Sequence, residues 1–96
     1  LKPDLKRQKE ILENYALENL SMVGTLQRGQ QIYALIRTPD NTVHRVKNGN
    51  YLGNNFGLIT TISEENITLK EMIQESGQAW VEQVGTLRLQ SQESKK

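Results

Sequence analysis

The sequence predicts an all-β fold: a small antiparallel β-sandwich of about six or seven short strands, preceded by a short helical or flexible N-terminal segment. Three observations carry this. After Leu20 most apolar residues come in short runs with a period of two. Gly, Asn, Asp and Pro punctuate those runs every 8 to 12 residues or so, the spacing of a sandwich or barrel. The punctuating groups are of the hairpin kind, which favours antiparallel neighbours. A chain of 96 residues makes one such domain with one core.

The elements follow in order. The opening stretch LKPDLKRQKEILENYALENL is charged and lacks glycine. Leu5, Ile11, Leu12, Tyr15 and Ala16 approximate a helical stripe, and Asp4 is placed to cap it. A short helix packed by Leu12 and Tyr15 is expected, with residues 1–7 frayed. Residues 1–14 are thus a flexible or partly helical lead, 15–90 the sandwich, and 91–96 a polar, disordered tail.

The first strand, LSMVGTLQ, places Leu20, Met22, Gly24 and Leu26 on one face by simple alternation. Gly24 inside it suggests a bulge or the close approach of another backbone. RGQ at 28–30 is a tight turn. QIYALIRT is the most hydrophobic strand, with Ile32, Ala34 and Ile36 on one side and Tyr33 and Leu35 on the other. TPDNT is a strong turn signal, and TVHRVK returns from it. GLITTIS and ITLKEMIQE are further strands separated by EEN, the second with Ile67, Leu69 and Ile73 on one face. SGQ turns the chain again, and AWVEQVGTLRLQ supplies one or two closing strands.

The Gly/Asn-rich stretch RVKNGNYLGNNFG invites a phosphate-loop reading, which it fails. It is neither G-x-x-x-x-G-K-[ST] nor G-x-G-x-x-G, and a strand follows it rather than a helix. It reads as architecture. Asn48-Gly49 is a turn pair, Tyr51 and Leu52 dip into the core, Gly53 to Asn55 turn again, and Phe56-Gly57 launch the next strand.

No residue set points to catalysis. His44 is the only histidine and cysteine is absent, so multi-His and Cys-type metal sites and thiolate chemistry are excluded. No cofactor is expected. Glu71 and Glu75 share a strand face by spacing, and Glu64 and Glu65 sit at a turn; all read as solvated charges. The net charge of +1 gives little drive towards nucleic acid. It is unevenly spread, however. Residues 19–63 carry Arg28, Arg37, Arg45 and Lys47 against Asp40, whereas residues 64–82 carry Lys70 against five glutamates. Two oppositely charged patches would steer protein partners. A small barrel that binds nucleic acid through Tyr33, Tyr51, Phe56 and Trp80 is the alternative reading.

The series ENYALENLSMVGTL, IRTPDNTVHRVKNGNYLGNNFGLITTISEENITLKEMI and WVEQVGTLRL resembles the periplasmic domain of the PilP family of type IV pilus assembly lipoproteins. The resemblance spans residues 15–89. Its most specific parts are residues 17–26 and 43–57, joined by the Ile-x-Leu-x-Glu strand at 67–71 and the Trp-Val-Glu at 80–82. Gly49, Tyr51, Leu52, Gly53, Gly57 and Trp80 are the structural signature. The family's lipidated cysteine and Pro-rich linker do not occur in this chain, so membrane contact is expected only through an anchor outside it.

The resemblance implies a compact periplasmic β-sandwich, tethered to the inner membrane and without enzymatic activity. It implies two kinds of partner for pilus biogenesis. One is the inner-membrane PilN/PilO complex, met mainly through the segment before the sandwich. The other is the periplasmic domain of the outer-membrane secretin PilQ, met by the sandwich. The candidate contacts are the first strand, with Leu20, Met22, Gly24 and Leu26, and the basic side chains Arg37, Arg45 and Lys47.

Overall fold

The computed structural model describes residues 2–90, apart from the side chain of Gln78. The expected tail at 91–96 therefore lies outside the described residues. Seven strands form two antiparallel sheets: β1 (Ser21–Arg28), β2 (Gln31–Arg37) and β3 (Val43–Val46) in one, β4 (Tyr51–Leu52), β5 (Gly57–Ile62), β6 (Asn66–Gln74) and β7 (Trp80–Arg88) in the other. Each sheet is a meander in chain order, as the chain of hairpin turns dictates. We call them the β1–β3 and β4–β7 sheets.

The turns form where their chemistry asks for them. Gly29, with φ of 61°, closes the β1–β2 hairpin at the Arg28–Gln31 pair. In TPDNT the Thr38 amide donates to the Thr42 carbonyl and Asn41 takes φ of 68°, while Thr38 Oγ1 donates to Asp40 Oδ1. That bond holds the Asp40 carboxyl below its usual range. The Ser63 hydroxyl accepts from the amides of Glu65 and Asn66 to close β5–β6.

The core lies between the sheets. Met22, Ala34, Ile36 and Val46 enter from β1–β3, and Leu52, Ile59, Ile62, Ile67 and Leu69 from β4–β7. Ile59 and Ile62 are three apart yet both buried, because a register shift between Ile59 and Thr61 inserts one residue into β5. The expected inward set Ile32, Ala34 and Ile36 of β2 is realised. Leu89 makes a parallel bridge to Met22, and the Gln90 amide donates to the Met22 carbonyl, tying the two sheets at one corner.

Two expectations need correction. The expected short helix is present as a 3-10 turn, Ile11–Asn14, packed by Leu12 with Tyr15 against the core, and a second 3-10 turn, Leu17–Asn19, follows the lead. The expected stripe, however, is not a face: Leu5 and Ile11 are exposed, and Leu12 alone is deeply buried. Nor is the lead loose up to residue 7. Arg7 pairs bidentately with Glu13, at 3.0 and 2.7 Å, and stands 3.5 Å over the Tyr51 ring. Glu10 and Glu13 form a capping box, and the Leu12 carbonyl accepts from the Gly53 amide. Two closely spaced tertiary anchors outweigh the marginal stability of a short isolated helix.

The second correction is Glu71, which is buried rather than solvated. On β6 it follows Ile67 and Leu69 on the inward face, and Gln83 of β7 donates to its Oε1 at 3.1 Å. A Cβ on Gly85, the partner of Leu69, would lie 2.8 Å from that oxygen, so the glycine leaves the carboxylate its space.

Candidate functional site

The outward face of the β1–β3 sheet gathers exposed apolar and basic side chains. It is built by the parity of three strands. In β2, Tyr33, Leu35 and Arg37 alternate with the buried Ala34 and Ile36. In β3, Arg45 lies opposite Leu35 and Val43 opposite Arg37. In β1 the register shifts between Met22 and Gly24, so that Gly24 lies opposite Leu35 and Leu26 opposite Tyr33. Arg28, at the strand end, continues the row.

The bulge predicted from Gly24 is therefore present, but it corrects the simple alternation. One inserted residue moves every later side chain to the other face. Leu20 and Met22 are core residues, 3% and 0% exposed, and offer no side chain to a partner. Gly24 and Leu26 point outward, with Leu26 exposed. Only the second half of the first strand belongs to the surface.

The basic residues converge on the same face. Arg45 stacks 4.9 Å from the Tyr33 ring. Arg37 donates to the Gln90 side chain at 2.8 Å. Lys47 follows β3 and is exposed; its amide donates to Asn50 Oδ1 at 2.9 Å. The result is an apolar centre of Leu26, Tyr33, Leu35 and Val43 with Arg28, Arg37, Arg45 and Lys47 around it. Among the described residues the ion pairs are Arg7–Glu13 and Lys70–Glu82, so none of these four cations is spent in one.

Tyr33 and Leu35 were legible in the sequence as the second side of a strong strand; Val43 joins them through its pairing with Arg37. Their grouping with Leu26 was not, since it depends on the bulge. The remaining aromatics sit elsewhere: Tyr51 stands under Arg7, and Trp80 packs edge-on against Phe56, ring centres 5.8 Å apart, both with the β4–β7 sheet. The stacking surface and the basic surface of the nucleic-acid reading are thus largely on different sheets. Among the described residues no group of three or more His, Asp or Glu is placed to hold a metal ion. His44 is half-buried on β3, opposite Ile36.

Of the residues expected as a signature, the glycines and Leu52 shape the turns around β4, whereas Tyr51, expected to dip into the core with Leu52, is half-buried on the outer face under Arg7. Gly49 and Gly53 take φ of 95° and 79° at the two turns around β4. Leu52 is fully buried. A Cβ on Gly57 would stand 2.5 Å from the Leu52 carbonyl oxygen, so no other residue fits there without moving β4.

Fold and face together define a small antiparallel β-sandwich whose cation-rimmed sheet face carries no helical layer among the described residues. Comparison with known proteins makes this specific. The model of the family described as "Pilus assembly protein, PilP" matches residues 1–89, and the chain belongs to the PilP family. It is 39% identical over 89 residues to the type IV pilus inner membrane component PilP of Pseudomonas aeruginosa, covering 93% of this chain and 51% of that protein. The chain thus spans about half the length of this curated relative. A solved domain of the type IV pilus biogenesis lipoprotein PilP from P. aeruginosa superposes with a TM-score of 0.82 at 40% identity, over 92% of this chain and all of that one. A domain of the Neisseria meningitidis PilP pilot protein gives 0.73 at 40% identity, over 99% and 83%. The fold and family expected from the sequence are therefore those found, and the family is one of pilus assembly, with relatives named as inner-membrane components and lipoproteins.

Proposed function

We propose that the domain is a non-enzymatic periplasmic scaffold of the type IV pilus machine. It links the inner-membrane PilN/PilO complex, reached through the lead and what precedes it, to the secretin PilQ, reached through the outward face of the β1–β3 sheet. The observation that carries this is the face itself: four cations that form no ion pair among the described residues surround a half-exposed apolar centre, beside the edge strand β1. Such a surface suits a protein partner with an acidic rim. A modest, partly polar interface also suits a joint that must stay in register without locking.

An NMR titration of the labelled domain with the periplasmic domains of the secretin tests the proposal. Shifts should centre on Leu26, Tyr33, Leu35, Val43 and Arg45, and Arg37→Glu with Arg45→Glu should weaken them. No binding at high micromolar concentration by a folded domain would sink it. Salt-sensitive binding of an oligonucleotide through the same residues would favour the nucleic-acid reading instead.

A further inference from the structure

We propose that Glu13 and Tyr51 form a guanidinium cradle, which Arg7 occupies in cis and which can take an arginine side chain of a protein partner in its place. The cradle is a built site. The Glu13 side chain is 2% exposed, and its two oxygens meet Arg7 Nη1 and Nη2 at 3.0 and 2.7 Å. The Tyr51 ring lies 3.5 Å from the guanidinium carbon. The Glu10 amide donates to Glu13 Oε1 at 2.8 Å and so aims the carboxylate. Glu10 Oε1 in turn accepts from the Tyr51 amide at 3.1 Å, which fixes the ring's backbone to the same turn.

The walls of the cradle and its occupant are anchored very differently. Leu12, next to Glu13, is buried in the core, and its carbonyl accepts from the Gly53 amide. Among the described residues, the hydrogen bonds of residues 2–9, which carry Arg7, are local apart from the Glu13 pair. The Lys6 amide donates to Asp4 Oδ1, the Arg7 amide to the Asp4 carbonyl, and Arg7 Nη1 to the Gln8 carbonyl. Leu5 is 64% exposed. Among the described residues, Arg7 is the side chain whose hydrogen bonds tie this segment across the outer face of the β4–β7 sheet. Beneath it is a cavity of about 220 Å³ between the lead and Tyr51, Phe56, Leu58, Lys70 and Met72.

The chemistry selects arginine. A planar fork satisfies both carboxylate oxygens at once and stacks on the ring, whereas an ammonium does one or the other. With Arg7 withdrawn the carboxylate keeps the Glu10 amide but loses both guanidinium hydrogen bonds, which a second guanidinium would restore. Exchange with a partner's arginine would release residues 2–9 and uncover the aromatic patch below. The lead is in this sense a strap with a single buckle.

Chemical rescue tests the assignment. In Arg7→Ala, ethylguanidinium should raise the melting temperature saturably and shift the Tyr51 resonances. Its half-saturation should be at least about tenfold lower than in Arg7→Ala with Glu13→Gln, and lower than that of ethylammonium. Wild type, its cradle filled, should respond only at much higher concentration. Should Arg7→Ala not fold, Arg7→Lys keeps the charge and is titrated in the same way. Equal half-saturation with and without the Glu13 carboxylate, or equal binding of ethylammonium, would overturn the proposal.

Discussion

Gly57→Ala is the sharpest probe of why the Gly/Asn stretch has its composition. Gly57 begins β5 and pairs with Leu52 of β4. A Cβ there would stand 2.5 Å from the Leu52 carbonyl oxygen, 3.3 Å from Leu69 Cδ1 and 3.5 Å from Glu71 Cγ. The first contact is far inside van der Waals distance, and the atom it meets is backbone, so it cannot rotate away. β4 would have to retreat, yet its position is held from the other side. The Tyr51 and Gly53 amides are bonded to Glu10 and to the Leu12 carbonyl, and Leu52 is fully buried. Overpacking of this kind costs about 1–3 kcal/mol, partly offset by the roughly 0.5–1 kcal/mol that alanine gains over glycine within regular structure. The net loss should appear in urea denaturation as a lower midpoint with an unchanged slope. Each kcal/mol lowers the melting temperature by about 4–8 °C in a domain of this size. Gly24→Ala is the internal control: its Cβ would lie 3.7 Å from Leu35 Cδ1, an ordinary contact, and it should be neutral or slightly stabilising. A Gly57→Ala protein as stable as wild type, or a Gly24→Ala protein equally weakened, would refute the steric account.

Other expectations are open to the same assays. Leu52→Ala, which empties a fully buried site, should cost about 2–5 kcal/mol in denaturant unfolding. Burial would raise the Glu13 carboxyl, but the Arg7 hydrogen bonds and the Glu10 amide overcome it and hold the group below its ordinary value. Its ionised form is thus favoured by folding, and that stability is present above the unfolded value of about 4.3 and lost as pH falls through the folded one. A melting-temperature series from pH 6 down to about 3 should show a decline that Glu13→Gln flattens. Arg45→Glu, on an exposed strand position, should change stability by no more than about 0.5 kcal/mol while weakening the secretin titration.

Much of this fold was legible because its turns announce themselves. RGQ, TPDNT and SEEN each bring a glycine, proline or Asx/Ser cap to the place where the chain reverses, and the strands between them are then fixed by alternation. Where the sequence misled, a single local event was responsible. The inserted residue in β1 turns Leu26 outward, and no pattern of apolar residues foretells which way a bulged strand resumes. The lead misled for a different reason. Its spacing suits a longer helical stripe, but Arg7 pairs with Glu13 and stacks on Tyr51, and the Leu12 carbonyl accepts from the Gly53 amide, which holds the segment in a single 3-10 turn. Glu71 was invisible as a buried group because its accommodation depends on Gly85, a neighbour across β6 and β7 that adjacency in sequence does not reveal.

The two surfaces singled out here are on opposite sides of the molecule by construction. A sandwich has two outer faces: one carries the cations and Leu26, while the other carries Tyr51, Leu58 and Met72 under the strapped lead. If the lead connects towards the inner membrane and the cationic face towards the secretin, the load between them passes through the packed core. Met22 and Ile36 on one side and Leu52 and Leu69 on the other, each essentially inaccessible, provide that path. Close-packed interiors deform little, so a displacement at the lead is passed on as a displacement of the docking face. This separates two classes of variant. Arg7→Ala should loosen the lead but leave the affinity of the isolated sandwich for the secretin domain unchanged. Arg45→Glu should do the reverse. Measuring both by titration and by amide exchange of residues 4–13 distinguishes them. Equal loss of affinity in the two variants would mean that lead and face act as one surface, and that the core is not the element joining them.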